Sequence, residues 1–390
     1  MISRPRCGTT ASTGRQSPPL LIVFIALIPA CCWIYMLRNE FPWYRVDFIS
    51  KADQYKNANV SLAQRPSWKR RGVVFLKTHK CASTSVFNAL TQYAVRNQLS
   101  IALPLKRKTI FPKWRRFSRD MVAPLLGDGE RYDMILHHTR YDRAAMRDTV
   151  ASDAAWVTIV RDPVAMFESY YSYYKLAQRL HVDLERFMRT PSIFFTRLLS
   201  SRSLDVPARN PMLYDLGLDV ADFDNETEIR QKIADLDVEF DLVMVAEFFP
   251  ESMVLLKRLL RMRTDDLASL RINGREEASK SRVRSQLAAR IRAWNWGDQL
   301  LYDRFQRRLV ARVAAYGAAR MQADVAELSS ASDSLGKRCV IGVSSEKKGR
   351  FASSATMVKF NVKSDEPECA LLAVNATTAW DYMTRTTIDL

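Results

Sequence analysis

The fold turns on one stretch, Val73-Val74-Phe75-Leu76-Lys77-Thr78-His79-Lys80-Cys81-Ala82-Ser83-Thr84-Ser85. Four apolar, strand-favouring residues give way to a loop of basic, small and hydroxyl residues, and a helix is expected after Ser83. Where a buried strand turns into a helix, unpaired backbone N–H groups and the helix dipole face the loop. Ser and Thr hydroxyls add further donors, so the loop suits an anion. Lys80 can place an ammonium on a bridging phosphate oxygen. A plain turn capped by Ser83 or Thr84 has the same pattern. The stretch lacks the G-x-x-x-x-G-K-[ST] order, with Lys80 three residues ahead of the hydroxyl cluster, which disfavours an ATPase or kinase.

Two more segments follow the same order of strand, polar turn and helix. Trp156–Val160 leads to a helix after Pro163, and Leu242–Ala246 to one after Pro250. A fourth apolar run, Met134–Leu136, ends in His137-His138. Strands alternating with helices predict an α/β fold, a central parallel sheet flanked by helices, with functional groups at the carboxyl ends of the strands. Residues 281–327 read as helical, with Leu287, Ile291, Trp294, Leu300 and Leu301 on an apolar stripe. Residues 328–365 are rich in Ser and Lys and read as a long loop, and Cys369–Tyr382 as one more helix. No internal repeat is visible.

The second candidate site segment is Arg161-Asp162-Pro163-Val164-Ala165-Met166-Phe167-Glu168-Ser169. Asp162 suits a helix N-cap and Pro163 the first helical position. Arg161 leaves the strand end and Ser169 lies about two turns into the helix, so a guanidinium fork and a hydroxyl can converge on one phosphate. Glu168 reads as a helix-surface group. Tyr170, Tyr171, Tyr173 and Tyr174 could stack on a sugar or a base, or fill the core.

The chain has 390 residues, with 59 Lys and Arg against 42 Asp and Glu, a net charge of +17. That balance fits a polyanion, an acidic membrane surface or a phosphorylated small ligand. No helix-turn-helix, zinc-finger or RNP pattern accompanies it, so nucleic acid is not the expected partner. Residues 18–37 carry no charge, and Arg4, Arg6 and Arg15 precede them. About 20 apolar residues suffice to span a bilayer. The run is longer than a signal-peptide core, and Trp33, Tyr35 and Met36 stand where a cleavage site needs small residues. The expectation is a tail over 1–17, one membrane-spanning signal anchor over 18–37 with the body on the luminal side, a stem over 38–70, a catalytic domain over 71–327 and an extension over 328–390. Asn59-Val-Ser61, Asn225-Glu-Thr227 and Asn375-Ala-Thr377 are glycosylation acceptors. Of six cysteines, only Cys81, Cys339 and Cys369 lie in the body. An oxidising lumen favours a Cys339–Cys369 disulfide and leaves Cys81 as a buried thiol.

These blocks together resemble the galactose-3-O-sulfotransferases. The likeness runs through the loop at Lys77–Thr84, His138, the stretch Arg161–Tyr174, Asp241–Leu260 and Trp294–Asp303. Cys81 departs from the Thr often found at its position in that family. The resemblance implies a P-loop-like sulfotransferase fold, a Golgi type II membrane enzyme, 3′-phosphoadenosine 5′-phosphosulfate as donor, and a galactose-terminated glycolipid or glycan as acceptor. It implies that Lys77, Thr78, His79, Lys80, Cys81, Ala82, Ser83, Thr84 and Ser85 hold the 5′-phosphosulfate, and Arg161 and Ser169 the 3′-phosphate. Sulfuryl transfer also needs a base near neutral pH, for which His is suited. His138 matches the family's His before an Arg and is the first candidate, with His79 in the loop the second. His181 sits in no motif. No metal is expected, since His137-His138 lacks a third ligand. The triplets Asp222-Phe223-Asp224 and Asp235-Leu236-Asp237 follow no obvious strand, which weighs against the alternative of a metal-dependent glycosyltransferase. The other alternative is a non-catalytic, membrane-anchored protein that binds acidic glycans.

Overall fold

The computed structural model describes residues 72–372 except 109, 125–128, 202–203, 269–282, 347–356 and 364–365. The tail, anchor and stem, the acceptors Asn59 and Asn375, and Cys7, Cys31 and Cys32 lie outside the described residues. Among the described residues, no helix is long and apolar enough to cross a membrane.

The expected parallel sheet is present. Strands β1 (Val73–Leu76), β2 (Met134–Ile135), β3 (Ala155–Val160) and β4 (Leu242–Val245) lie in the order β2-β1-β3-β4, and every neighbouring pair is parallel. All residues of the four strands are buried. Strands buried on both faces read as unbroken apolar runs, which is why these were legible. Chain order reverses between β1 and β3: β2 lies on one side of β1 and β3 on the other. Connections leaving their carboxyl ends therefore part, and a crevice opens there. The loop Lys77–Ala82 follows β1 and Arg161 follows β3, so the two candidate segments flank this switch point.

The helices used below are α1 (Ser83–Arg96), α2 (Arg143–Thr149), α3 (Pro163–Tyr173), α4 (Pro211–Asp215), α5 (Glu226–Glu239), α6 (Phe249–Leu260), α7 (Ser285–Trp294), α8 (Trp296–Tyr316), α9 (Ala318–Cys339) and α10 (Pro367–Leu372). Asp162 caps α3 as expected, accepting from the N–H groups of Val164 at 2.9 Å and Ala165 at 3.1 Å. Asn225 caps α5 by accepting from Thr227 and Glu228, and it is exposed, so its amide nitrogen stays clear of the cap.

Residues 328–365 are not a long loop. Helix α9 runs through residue 327 to Cys339, and an antiparallel pair follows, β5 (Val340–Glu346) with β6 (Met357–Val362). The boundary expected at 327 therefore falls inside a helix. Met321, Leu328 and Leu335 are buried at seven-residue spacing, one face of a helix that the Ser-rich composition between them hides. At the end of α9, Cys339 joins Cys369 of α10 in the expected disulfide, surrounded by Ala268, Leu335 and Leu372. Residues 373–382 of the helix expected after Cys369 lie outside the described residues.

The disulfide closes a 30-residue separation. Chain-entropy arguments give such a loop about 3.6 kcal/mol. Replacing both Cys339 and Cys369 by Ser should lower the melting temperature in calorimetry, and reduction of the unmutated protein should lower it equally.

Candidate active site

The loop after β1 is held by its own hydroxyls. Thr78 donates to the carbonyl of Ile159 in β3, and Ser83 donates back to the Thr78 carbonyl at 2.6 Å. These two hydroxyls brace the loop by donating to its own and its neighbour's carbonyls. Cys81 is buried with its thiol on the His79 carbonyl at 3.2 Å, and burial pushes that thiol's pKa up. Lys80 and Ala82 both adopt left-handed backbone conformations, with φ of 60° and 61°. Each costs about 1 kcal/mol for a residue with a Cβ. The first turn of α1 then begins at Ser83, with its leading N–H groups outside the helical ladder and directed at the loop.

Five basic side chains meet at this loop, Lys77, His79, Lys80, Lys113 and His138. Lys80 lies over the Tyr173 ring, its ammonium 4.0 Å from the centroid. Lys77 is buried against Phe87, 4.4 Å from the ring centroid. Burial, with Lys113 and Lys80 nearby, pulls the Lys77 amine down to about 7. His79 donates its backbone N–H to Asp215 at 2.7 Å, and its Nδ1 lies 2.9 and 2.7 Å from the two carboxylate oxygens. A carboxylate only accepts, so Nδ1 carries the proton and Nε2 carries the lone pair. Lys113 Nζ donates to that Nε2 at 2.9 Å. His138 stacks on His79 with ring centroids 4.1 Å apart and places Nδ1 2.7 Å from the Lys77 carbonyl. The carbonyl fixes the His138 tautomer in the same sense. Burial lowers the pKa of both rings. For His79, Asp215 opposes that shift; for His138, it is reinforced by His79, Lys77 and Lys113.

His137 and His138 part as strand alternation predicts. His137 is buried against the edges of Phe87 and Phe111, and His138 is half-buried over His79. Arg161 crosses from β3 to the loop, donating to the Lys80 carbonyl at 2.9 Å. Beside it, Glu247 follows β4 and accepts from the Asp162 N–H at 3.1 Å; burial raises its pKa. Ser169 is buried on α3, as is Glu168, which is therefore not the helix-surface group expected from sequence. Helix α7 packs on α3. Tyr170 and Tyr171 are core residues, their hydroxyls on the carbonyls of Val206 and Val182, and Tyr173 is on the rim beside Lys80. His181 is exposed at the end of a short helix, away from these contacts.

Sequence reasoning missed Lys113 and Asp215. Asp215 ends α4, whose N-terminal N–H groups are held from α8: Asp298 accepts from Met212 at 3.1 Å and Leu213 at 2.9 Å, and Asn295 accepts from Asn210 at 2.9 Å. Burial pushes Asp298 up to about 7 against the pull of those two donors. Gly297 permits the approach, since a Cβ there would lie 2.8 Å from Leu213. The Asn295–Asp298 block is thus the support of Asp215. The one available signal was the helix start Asn210-Pro211.

One aspartate of each triplet is held in an ion pair: Asp224 with Arg209, and Asp237 with Arg304 and Arg308. Among the described residues, no three His, Cys, Asp or Glu side chains are grouped to hold a metal ion.

A braced basic loop thus sits at the switch point with a carboxylate-oriented imidazole inside it. The family model described as galactose-3-O-sulfotransferase matches residues 13–354. This chain belongs to that family. It is similar to galactose-3-O-sulfotransferase 3 of Bos taurus, 35% identical over 285 residues, covering 70% of this chain and 65% of the relative. Galactose-3-O-sulfotransferase 2 of Sus scrofa is 35% identical over 274 residues, covering 69% and 68%. Galactosylceramide sulfotransferase of Bos taurus is 32% identical over 284 residues, covering 70% and 65%. The chain thus spans just under two thirds of the length of the bovine relatives.

The half-titrated amine of Lys77 should make anion binding pH-dependent. An anion in the loop favours the charged amine and raises its pKa, so binding takes up a proton above pH 7. Pyrophosphate affinity should fall as pH rises through 7, by up to about tenfold per unit. Calorimetry in buffers of different ionisation heat should show net proton uptake at pH 8.

Proposed function

We propose that this chain transfers a sulfuryl group from 3′-phosphoadenosine 5′-phosphosulfate to the 3-hydroxyl of a terminal β-galactose on a glycolipid or glycoprotein glycan. The observation that carries the reading is the pairing of a basic anion loop with the Asp215–His79 dyad at one switch point, in a chain of this family. In this reading the first turn of α1 and Lys80 hold the 5′-phosphosulfate, and Arg161 and Ser169 hold the 3′-phosphate. The acceptor oxygen forms a bond to sulfur as the bond from sulfur to the bridging oxygen breaks. The electron pair leaves on the phosphate, where Lys80 and the loop N–H groups offset the growing charge.

The acceptor proton goes to His79 Nε2. Two features support His79 over His138 as the base. Its Nδ1–H is fixed by a buried carboxylate that stabilises the imidazolium once formed, the arrangement by which an acid orients a catalytic histidine. His138 has only a carbonyl in that place and three cationic or titratable neighbours that disfavour its charged form. His138 then packs His79 in place. The anchor over residues 18–37 and a luminal, Golgi location complete the proposal. They rest on the charge pattern of the N-terminus and the resemblance described above.

Incubation with 35S-labelled donor and a panel of β-galactosides should label a galactoside, and labelling of none by folded, donor-binding protein would sink the acceptor assignment. Lys80→Ala should lower kcat about 10²-fold or more. His79→Ala should cost about 10²- to 10⁴-fold, with His138→Ala the milder of the two; the reverse ranking would assign the base to His138.

A further inference from the structure

The reaction above leaves Lys113 without a task. It is 7% exposed, and its ammonium sits on a neutral imidazole nitrogen. The carboxylate nearest to it in an ion pair, Asp205, is 3.7 Å away and largely exposed. Burial lowers the Lys113 pKa, with Asp215 and Asp205 opposing the shift. An ammonium taken out of water needs an anion or strong acceptors to balance it, and here Lys77, Lys80 and Lys113 share one small region with Asp215 already committed to His79.

The backbone around Lys113 is pinned. Tyr214 donates its hydroxyl to the Lys113 carbonyl at 2.9 Å, Phe111 N–H donates to the His138 carbonyl at 3.0 Å, and Phe117 N–H donates to the Arg140 carbonyl at 2.9 Å. Only the four-carbon side chain is left to move, and rotamer changes of such a chain shift its ammonium by several ångströms without disturbing the fold.

In the present position Lys113 blocks the reaction just described, because Nε2 cannot accept a proton from a hydroxyl while it accepts one from Nζ. An acceptor oxygen hydrogen-bonded to Nε2 lies about 2.6–3.2 Å from it, and that oxygen is bonding to sulfur. The non-bridging oxygens of the sulfuryl group then lie beside the place Nζ now occupies. We propose that Lys113 is a further catalytic residue, which covers the lone pair of His79 Nε2 in the unliganded protein and moves its ammonium onto the sulfuryl oxygens when donor is bound. One side chain would then both uncover the base and stabilise charge on the group in flight. The proposal rests on the sulfotransferase reading with His79 as base.

The charged and titratable groups facing His79 are Asp215 from α4, Lys113 from its own segment, Lys77 from the end of β1 and His138 from the end of β2. Of these, Lys113 is a cation that lowers the His79 pKa and can be removed without touching the loop. The test uses the full chain and the variants Lys113→Met and Lys113→Arg. Lys113→Met should reduce kcat about 10²-fold and move the acid limb of the kcat/KM profile to higher pH. Lys113→Arg should keep the limb at the wild-type position. By 15N NMR of the imidazoles, His79 in unliganded Lys113→Met should titrate at higher pH than in wild type, a readout independent of turnover. A Lys113→Met enzyme within about threefold of wild type with an unmoved acid limb, or an unmoved His79 titration, overturns the proposal. If wild-type protein transfers to no galactoside and the NMR shift is still seen, the functional reading fails while the coupling of Lys113 to His79 stands.

Discussion

The contact on which the site depends is the one between Asp215 and His79. A fully buried carboxylate receives both the backbone N–H and the ring N–H of one loop residue. It fixes the loop's path, the imidazole's orientation and its tautomer together. A buried carboxylate without donors would be strongly unfavourable, so loop and helix α4 are stable only in each other's presence. Helix α4 in turn has five residues and little stability of its own. It persists because Asn295 and Asp298 of the distant α7–α8 junction hold its amino end. The support of the His79 imidazole therefore runs from α8 through α4 to the loop after β1, joining segments some two hundred residues apart in the chain.

That route explains what could and could not be read from the sequence. β1, β3 and β4 were legible because a strand buried on both faces writes itself as a continuous apolar run. The cap at Asp162-Pro163 and the loop at Lys77–Ser85 were legible because their chemistry is local. Asp215 and Lys113 were not, since each acts through a partner 136 or 34 positions away and neither lies in a pattern of its own. The carboxylate partner of His79 was invisible for the same reason. The Ser-rich part of α9 misled in the opposite way, because composition outweighed a seven-residue spacing of buried groups. The hydroxyls of Thr78 and Ser83 show a third kind of limit. Sequence reading gave them a ligand to hold and could not see the carbonyls of Ile159 and Thr78 to which they donate.

The sheet order supplies the rest of the geometry. With β1 and β3 adjacent and their connections diverging, the loop, Arg161 and the His79–His138 stack converge at one end of the sheet without any long excursion of the chain. Helix α3 returns Tyr173 to the rim over Lys80, and the segment 111–117, tied to His138 and Arg140, brings Lys113 in from the opposite direction in sequence.

The left-handed conformations at Lys80 and Ala82 occur in a cradle that contains no glycine. Phosphate loops commonly use glycine where the backbone must turn this way, gaining ease of folding at the expense of a floppy unliganded state. Here side chains occupy those positions, and braces to Ile159 and Thr78 hold them. The ordering cost is met once, during folding, and not at each encounter with a ligand. A cradle held this way works as a rigid gauge: whatever it receives must fit a shape set by the fold, because the backbone has no glycine hinge with which to close around it.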